Sequence, residues 1–193
     1  MFASRGGLKL RHALDHFAIE VSGLVCADFG CNVGGFTDCL LQAGAPKVYA
    51  VDTGYGTLAW TLRNDPRVVV MERTNALHAA APEPVDLVVV DLGWTPQRHA
   101  IPAALRWLKP GGRIITLIKP HYELRDDEKL LLRDGVLDEP DSLRIAERAA
   151  AELPALGIDV RGLTRSPILG GASKGNKHGN AEWLALLARA GQS

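Results

Sequence analysis

No stretch of the chain is apolar for long enough to cross a bilayer; the best runs, around Val68 and Leu87, have the length of a strand. The N-terminus lacks the apolar core of a signal peptide, so nothing marks the chain for export and a cytoplasmic location is expected. Net charge is also missing, because 22 Lys and Arg balance 22 Asp and Glu. The total therefore advertises no nucleic-acid binder, and any such surface must come from local clustering. Cysteine is scarce. Cys26, Cys31 and Cys39 are odd in number and have no partner at metal-ligand spacing, so neither a disulfide framework nor a metal site is expected. They read as small buried residues of a reducing cytosol. Repeats and low-complexity tracts are absent as well. What is present is ordinary: 47% hydrophobic and 23% charged residues over 193 positions, enough for a single domain with a substantial core.

Strand-like and helical runs alternate from residue 25 to about residue 120. Strands are expected at residues 25–29, 47–52, 68–72, 86–91 and 113–119, where β-branched and nearly unbroken apolar runs fit strands covered on both faces. Helices are expected at 36–43, ended by Gly44, at 57–63, stopped by Asp65-Pro66, and at 98–108, before Lys109-Pro110-Gly111-Gly112. This alternation implies an α/β, Rossmann-like doubly wound sheet with ligands at the carboxyl ends of its strands. An amphipathic helix precedes it at 8–17, with Leu10, Leu14 and Phe17 on one face. Residues 121–141 are charged with few core positions and read as a mobile connection or lid. A helix at 142–153 and a strand at 158–163 follow, then a glycine-rich basic loop at 170–180. For 181–189 the Ala, Leu and Glu content favours helix by propensity.

Residues 25–36 read Val-Cys-Ala-Asp-Phe-Gly-Cys-Asn-Val-Gly-Gly-Phe: an apolar run, an aspartate, and a glycine turn opening into a helix. A glycine turn lets backbone approach a ligand, and the helix behind it points free N–H groups the same way. The dinucleotide fingerprint holds a pyrophosphate by this means. Here Asp28 stands two residues before Gly30, and a fixed negative charge would repel a pyrophosphate. It suits a zwitterion carrying an ammonium and a sulfonium. The expected cofactor is S-adenosylmethionine, held by Asp28, Gly30, Asn32, Gly34, Gly35 and Phe36. Asp52, closing the second strand, can accept both ribose hydroxyls, or it is a turn residue before Gly54. Asn75 can meet the adenine amine or can likewise be a turn residue. Asp91 and Lys119 end the fourth and fifth strands. An ammonium at a buried strand tip is costly without a partner, so a structural Lys119–Asp91 ion pair is the plainer alternative to catalysis.

Several segments resemble the FtsJ-type methyltransferases, and within them the branch called TlyA or haemolysin A. They are Ser4-Arg5-Gly6-Gly7-Leu8-Lys9-Leu10, residues 28–41, Val51-Asp52-Thr53-Gly54-Tyr55-Gly56 and Leu62-Arg63-Asn64-Asp65-Pro66-Arg67-Val68. Ile118-Lys119-Pro120, Ser166-Pro167-Ile168 and Gly179-Asn180-Ala181-Glu182 belong to the same set, in the same order along the chain. The resemblance implies a class I methyltransferase fold: a mostly parallel seven-stranded sheet with a final antiparallel strand, which makes residues 181–189 that strand. It implies one domain over 1–193, with an N-terminal helix at 4–19, a donor-binding half at 24–92 and a catalytic half at 93–193. It also implies transfer to a ribose 2′-hydroxyl of ribosomal RNA through a Lys-Asp-Lys-Glu tetrad falling on Lys9, Asp91, Lys119 and Glu182, with Asp91 bordering the donor as well. Members of this branch carry an N-terminal S4 RNA-binding domain, whereas this sequence begins at the methyltransferase motifs, so no S4 domain is expected in it. Leu92-Gly93-Trp94 and His121-Tyr122-Glu123 depart from the family's small polar residue with phenylalanine and its Gln-Phe-Glu, next to the acceptor pocket.

RNA contact is expected from Arg5, Lys9, Arg11 and His12 near the start and Arg161, Arg165, Lys174, Lys177 and His178 near the end. Trp94, beside Asp91, is the candidate for base stacking, while Trp60 and Trp107 read as core. Competing readings are a base-nitrogen methyltransferase, from the faint likeness of Asp91-Leu92-Gly93-Trp94 to an amino-methylating motif, and a catalytically silent protein binding the donor or RNA. No membrane partner is expected, since no cationic amphipathic helix supports a membrane-acting toxin.

Overall fold

The computed structural model describes residues 1–171 and 179–191. Seven strands form one sheet: β1 (Val25–Phe29), β2 (Lys47–Val51), β3 (Val68–Met71), β4 (Val85–Val90), β5 (Leu108–Ile118), β6 (Ile158–Arg165) and β7 (Trp183–Arg189). Their order is β3-β2-β1-β4-β5-β7-β6, and β7 alone runs antiparallel to its neighbours. Helices α1 (Gly6–His16), α2 (Gly35–Gln42), α3 (Trp60–Arg63), α4 (Gln97–Leu105) and α5 (Glu139–Glu152) complete the fold.

The unbroken apolar strands follow from burial on both faces. In β4, Val88 and Val90 enter the core layer holding Phe29, Ile101 and Trp107, while Leu87 and Val89 enter the opposite layer with Leu10, Cys39 and Leu40. Trp107 meets the edge of Phe29 at 5.0 Å and donates its indole N–H to the Ala79 carbonyl at 3.1 Å. The same two-sided burial resolves residues 181–189 as a strand. Trp183, Ala185 and Leu187 face one layer, Leu184 and Leu186 the other, and this tertiary demand overrides local helix propensity.

Two expectations shift. Helix α4 ends at Leu105 and β5 begins at Leu108, because Leu108 already pairs with Val85; the register slips before Leu87 pairs with Arg113. Residues Pro110, Gly111 and Gly112 occupy that irregularity instead of separating a helix from a strand. The connection 121–141 is anchored rather than bare. It holds two short 3₁₀ turns, Pro120–Tyr122 and Asp126–Leu131, and Leu137 is buried. The Glu123 carboxylate accepts the Gln97 N–H that opens α4, and Glu128 pairs with Arg144 and Arg148 of α5.

The glycine turn packs more tightly than ligand approach alone requires. A Cβ on Gly35 would lie 2.2 Å from the Ser4 hydroxyl and 2.9 Å from the Gly7 nitrogen, so α1 and α2 meet backbone to backbone there. Gly34 adopts φ +101°, and a Cβ on it would strike Leu62. Gly35→Ala is therefore expected to lower unfolding stability by about 1–3 kcal/mol through overpacking. Denaturant titration checks this; an unchanged midpoint would show that α1 can move away freely.

Candidate active site

At the carboxyl edge of the sheet the four tetrad candidates come together as two ion pairs. Lys9, on the buried face of α1, places Nζ 2.5 Å from Oε2 of Glu182, which precedes β7. Lys119, just past β5, places Nζ 2.5 Å from Oδ1 of Asp91, just past β4. The neighbouring cations go elsewhere: Arg11 pairs with Asp15, and Arg5 donates to the Leu169 carbonyl. Burial pulls the Lys119 ammonium towards deprotonation, but Asp91, Glu182 and Tyr122 outweigh it, so its pKa lies above the ordinary lysine value. Burial raises the Glu182 carboxyl, with Lys9 and Lys119 only partly offsetting it.

Three hollows open around these groups. The first is lined by Ser4, Arg5, Lys9, Gly30, Asn32, Gly35, Phe36 and Asp91 among others. The second, about 460 Å³, runs past Gly30, Asn32, Asp52, Asn75, Asp91, Trp94 and Lys119. The third, on the far side of Lys119, is walled by Trp94, His121, Tyr122, Asn180 and Glu182. Asp91 joins the first two and Lys119 the last two.

The expected cofactor residues divide into two groups. Gly30, Asn32, Gly35, Phe36, Asp52, Asn75 and Asp91 line the hollows. The Asp52 carboxylate accepts the Asn32 N–H at 2.8 Å and the Gly54 N–H at 2.7 Å, which fixes it while leaving lone pairs for ligand hydroxyls. Asn75 does serve as a turn residue, its side-chain oxygen accepting the Leu77 N–H, and it still faces the second hollow. Gly34 and Asp28 lie behind the lining. Asp28 is fully buried beneath the turn, with Oδ2 accepting from the Thr37 hydroxyl at 2.7 Å and Oδ1 meeting no hydrogen-bond partner among the described residues. Burial pushes its carboxyl up to about 7, against the Thr37 bond, with Asp91 and Asp52 adding to the rise. A sulfonium donor with an ammonium group fits this frame: Asp91 lines both hollows, Asp52 lines the second, and the glycine turn that opens α2 lies beside them. A pyrophosphate would meet the Asp52 and Asp91 carboxylates, while Lys9 and Lys119 are already paired with Glu182 and Asp91.

Sequence reasoning missed the supporting residues. Asn180 accepts the Leu137 N–H and donates to the Gly135 carbonyl, both at 2.9 Å, tethering the 121–141 connection beside Glu182. Its place in Gly179-Asn180-Ala181-Glu182 was the available signal. Trp94, at φ +58°, is 84% exposed and packs on Tyr122 with ring centroids 4.9 Å apart. The His121 ring meets Tyr122 at a tilt, centroids 4.1 Å apart, and burial with the nearby Lys119 and Lys9 charges holds its imidazole down to about 4, hence neutral. Trp107 is core as expected, but Trp60 is exposed, because α3 is a single turn whose buried position is Leu62. Of the expected RNA-facing cations, Arg11, Arg161 and Arg165 pair with carboxylates, and Lys174, Lys177 and His178 lie outside the described residues. The three cysteines are free and buried, Cys31 bordering the first hollow. Among the described residues no helix is long and apolar enough to cross a membrane.

A mostly parallel seven-stranded sheet with one reversed strand, and a ligand edge built around a glycine turn, is the class I methyltransferase fold. An S-adenosylmethionine-dependent methyltransferase from Mesorhizobium loti shares it at TM-score 0.57 and 16% identity, over 92% of this chain and 96% of that one. The chain belongs to the FtsJ-like methyltransferase family, a family of S-adenosylmethionine-dependent enzymes, whose pattern matches residues 2–151. It is 40% identical over 191 residues to the 16S/23S rRNA (cytidine-2′-O)-methyltransferase TlyA of Mycobacterium tuberculosis, covering 96% of this chain and 68% of TlyA. A hemolysin-like protein from Lactococcus lactis superposes at TM-score 0.88 and 36% identity, over 99% of this chain and 90% of that one. The chain spans 65% to 75% of the length of curated relatives.

Asp28 gives a pH test. Its folded pKa lies above the ordinary aspartate value, so the folded state binds the proton more tightly and this group's contribution to stability falls as pH rises from about 4 to about 7. Asp28→Asn should gain stability relative to the parent chain at pH 8 and lose that advantage by pH 5. Urea titrations at the two values measure it, and an equal difference at both would place the titration elsewhere.

Proposed function

We propose that this chain transfers a methyl group from S-adenosylmethionine to a ribose 2′-hydroxyl of ribosomal RNA in the cytoplasm. The observation that carries the reading is the pairing of Lys9 with Glu182 and of Lys119 with Asp91 where the hollows meet. The TlyA relative, a 16S/23S rRNA (cytidine-2′-O)-methyltransferase, supports the same acceptor. S-adenosylmethionine supplies a methyl on a positively charged sulfur, an activated leaving group, so the protein mainly positions reactants and manages one proton.

The donor would lie along the glycine turn, with its ribose hydroxyls at Asp52 and its adenine near Asn75. The acceptor hydroxyl would enter from the third hollow, with Trp94 and Tyr122 offering the base an aromatic face. Lys119 stays an ammonium because the carboxylates outweigh its burial. It has no lone pair for the hydroxyl proton, so it orients the oxygen and stabilises the negative charge that develops on it. The proton goes to a carboxylate. Glu182, raised by burial and facing the same hollow, is the better base of the two tetrad acids. Lys9 keeps Glu182 in place, a positioning role.

Lys119→Ala is expected to lower methyl transfer by about a hundredfold or more while leaving donor affinity within about twofold. Tritiated donor incubated with ribosomal subunits or naked ribosomal RNA, followed by mapping of the labelled nucleotide, measures the first; calorimetry measures the second. Full turnover by the variant would reject the role of Lys119, and label on a base nitrogen would reject the ribose acceptor.

A further inference from the structure

Two aromatic side chains stand in solvent in the segment between β2 and β3, which begins at the second hollow with Asp52 and Thr53. Tyr55, in the loop after β2, is 68% exposed, and Trp60, the first residue of α3, is 75% exposed. Exposing such rings is unfavourable, and here they sit on a fixed frame. Glu72, following β3, accepts the Gly56 N–H at 2.9 Å and the guanidinium of Arg63 from α3. The Arg73 N–H donates to the Gly54 carbonyl at 3.0 Å, and the Ala59 N–H to the Val33 carbonyl at 3.0 Å. Loop, single-turn helix and strand end are thus tied into one piece, so the rings are presented by structure rather than left loose.

A cation completes the patch. The Arg73 guanidinium lies 4.2 Å from the Tyr55 ring centroid, and the residue is exposed. No carboxylate pairs with it among the described residues, whereas nearby Arg63 and Arg67 are taken by Glu72 and Asp65. The patch continues into the donor hollow, since Thr53 and Thr74, each one residue from the Gly54–Arg73 hydrogen bond, line it. In the same segment Thr57, Thr61, Asn64 and Arg67 are exposed and polar.

We propose that Tyr55, Trp60 and Arg73 form a stacking platform for an unpaired base of the RNA flanking the methylated nucleotide. The proposal rests on RNA being the substrate. A flat ring or ring-plus-guanidinium face accepts any base, and the free cation suits the phosphate that follows it. The site would bind single-stranded or loop RNA without reading its sequence, complementing the acceptor hollow on the other side of the donor.

The test uses the full chain and a fluorescent single-stranded fragment of ribosomal RNA. Tyr55→Ala and Trp60→Ala should each weaken RNA binding by about tenfold, and the double variant by more. Tyr55→Phe, which keeps the ring, should bind as the parent does. In methyl transfer the double variant should raise KM for RNA while kcat and donor affinity stay near the parent values. RNA affinity within twofold of the parent for the double variant would overturn the platform and leave the ribose methyltransferase reading standing. An equal loss of donor affinity would also overturn it, by making the patch part of the donor pocket. A parent chain that neither binds nor methylates any RNA would overturn both.

Discussion

Four charged side chains gathered in one partly desolvated corner impose the strictest constraint on this molecule. Desolvating an ammonium or a carboxylate is costly, and the cost is offset only when opposite charges meet at hydrogen-bonding distance. Lys9 and Glu182 come from opposite ends of the chain, and Lys119 and Asp91 from adjacent strand tips. Each pair is tolerable only while its partner is present, since removing one member leaves an uncompensated charge worth about 3–5 kcal/mol. The arrangement therefore fixes α1 against the start of β7 and the tip of β4 against the tip of β5. The same proximity keeps Lys119 charged, so one geometric fact bears on both the architecture and the proton inventory of the edge.

The donor side follows a different logic. Its glycines are required by close approaches within the protein, Gly35 to the start of α1 and Gly34 to Leu62. Its aspartates are pinned by backbone N–H groups or sealed beneath the turn. A frame held this firmly by its own contacts can receive a ligand with little rearrangement.

Much of this was legible in the sequence because it depends on local pattern. The β1 to β5 alternation, the turn at 28–36 and the strand-end positions of Asp91 and Lys119 follow from hydrophobic runs and punctuation. What depends on distant partners was reached only through the family resemblance, not from local pattern. Ala181 to Arg189 looks helical by composition, and only the two apolar layers that β7 divides make it a strand. That Lys9, rather than Arg5 or Arg11, meets Glu182 is decided by which face of α1 turns inward. Trp60 misled because a tryptophan in a helical pattern is ordinarily core, yet a four-residue helix has room for one buried position, taken by Leu62.

The placement of β7 bears on how the polypeptide reaches this state. Synthesised last of the seven strands, it occupies an interior slot, and β6 touches the sheet through no other strand. Until β7 arrives, the hydrogen-bonding edge of β5 stands open and β6 has nothing to join, so the sheet is completed by β7, either entering between them or docking on β5 already paired with β6. Such an open apolar edge is a hazard during translation. Glu182, immediately ahead of β7, arrives with the same step, so the charged corner closes only when the last strand is seated and an incompletely assembled sheet cannot present it.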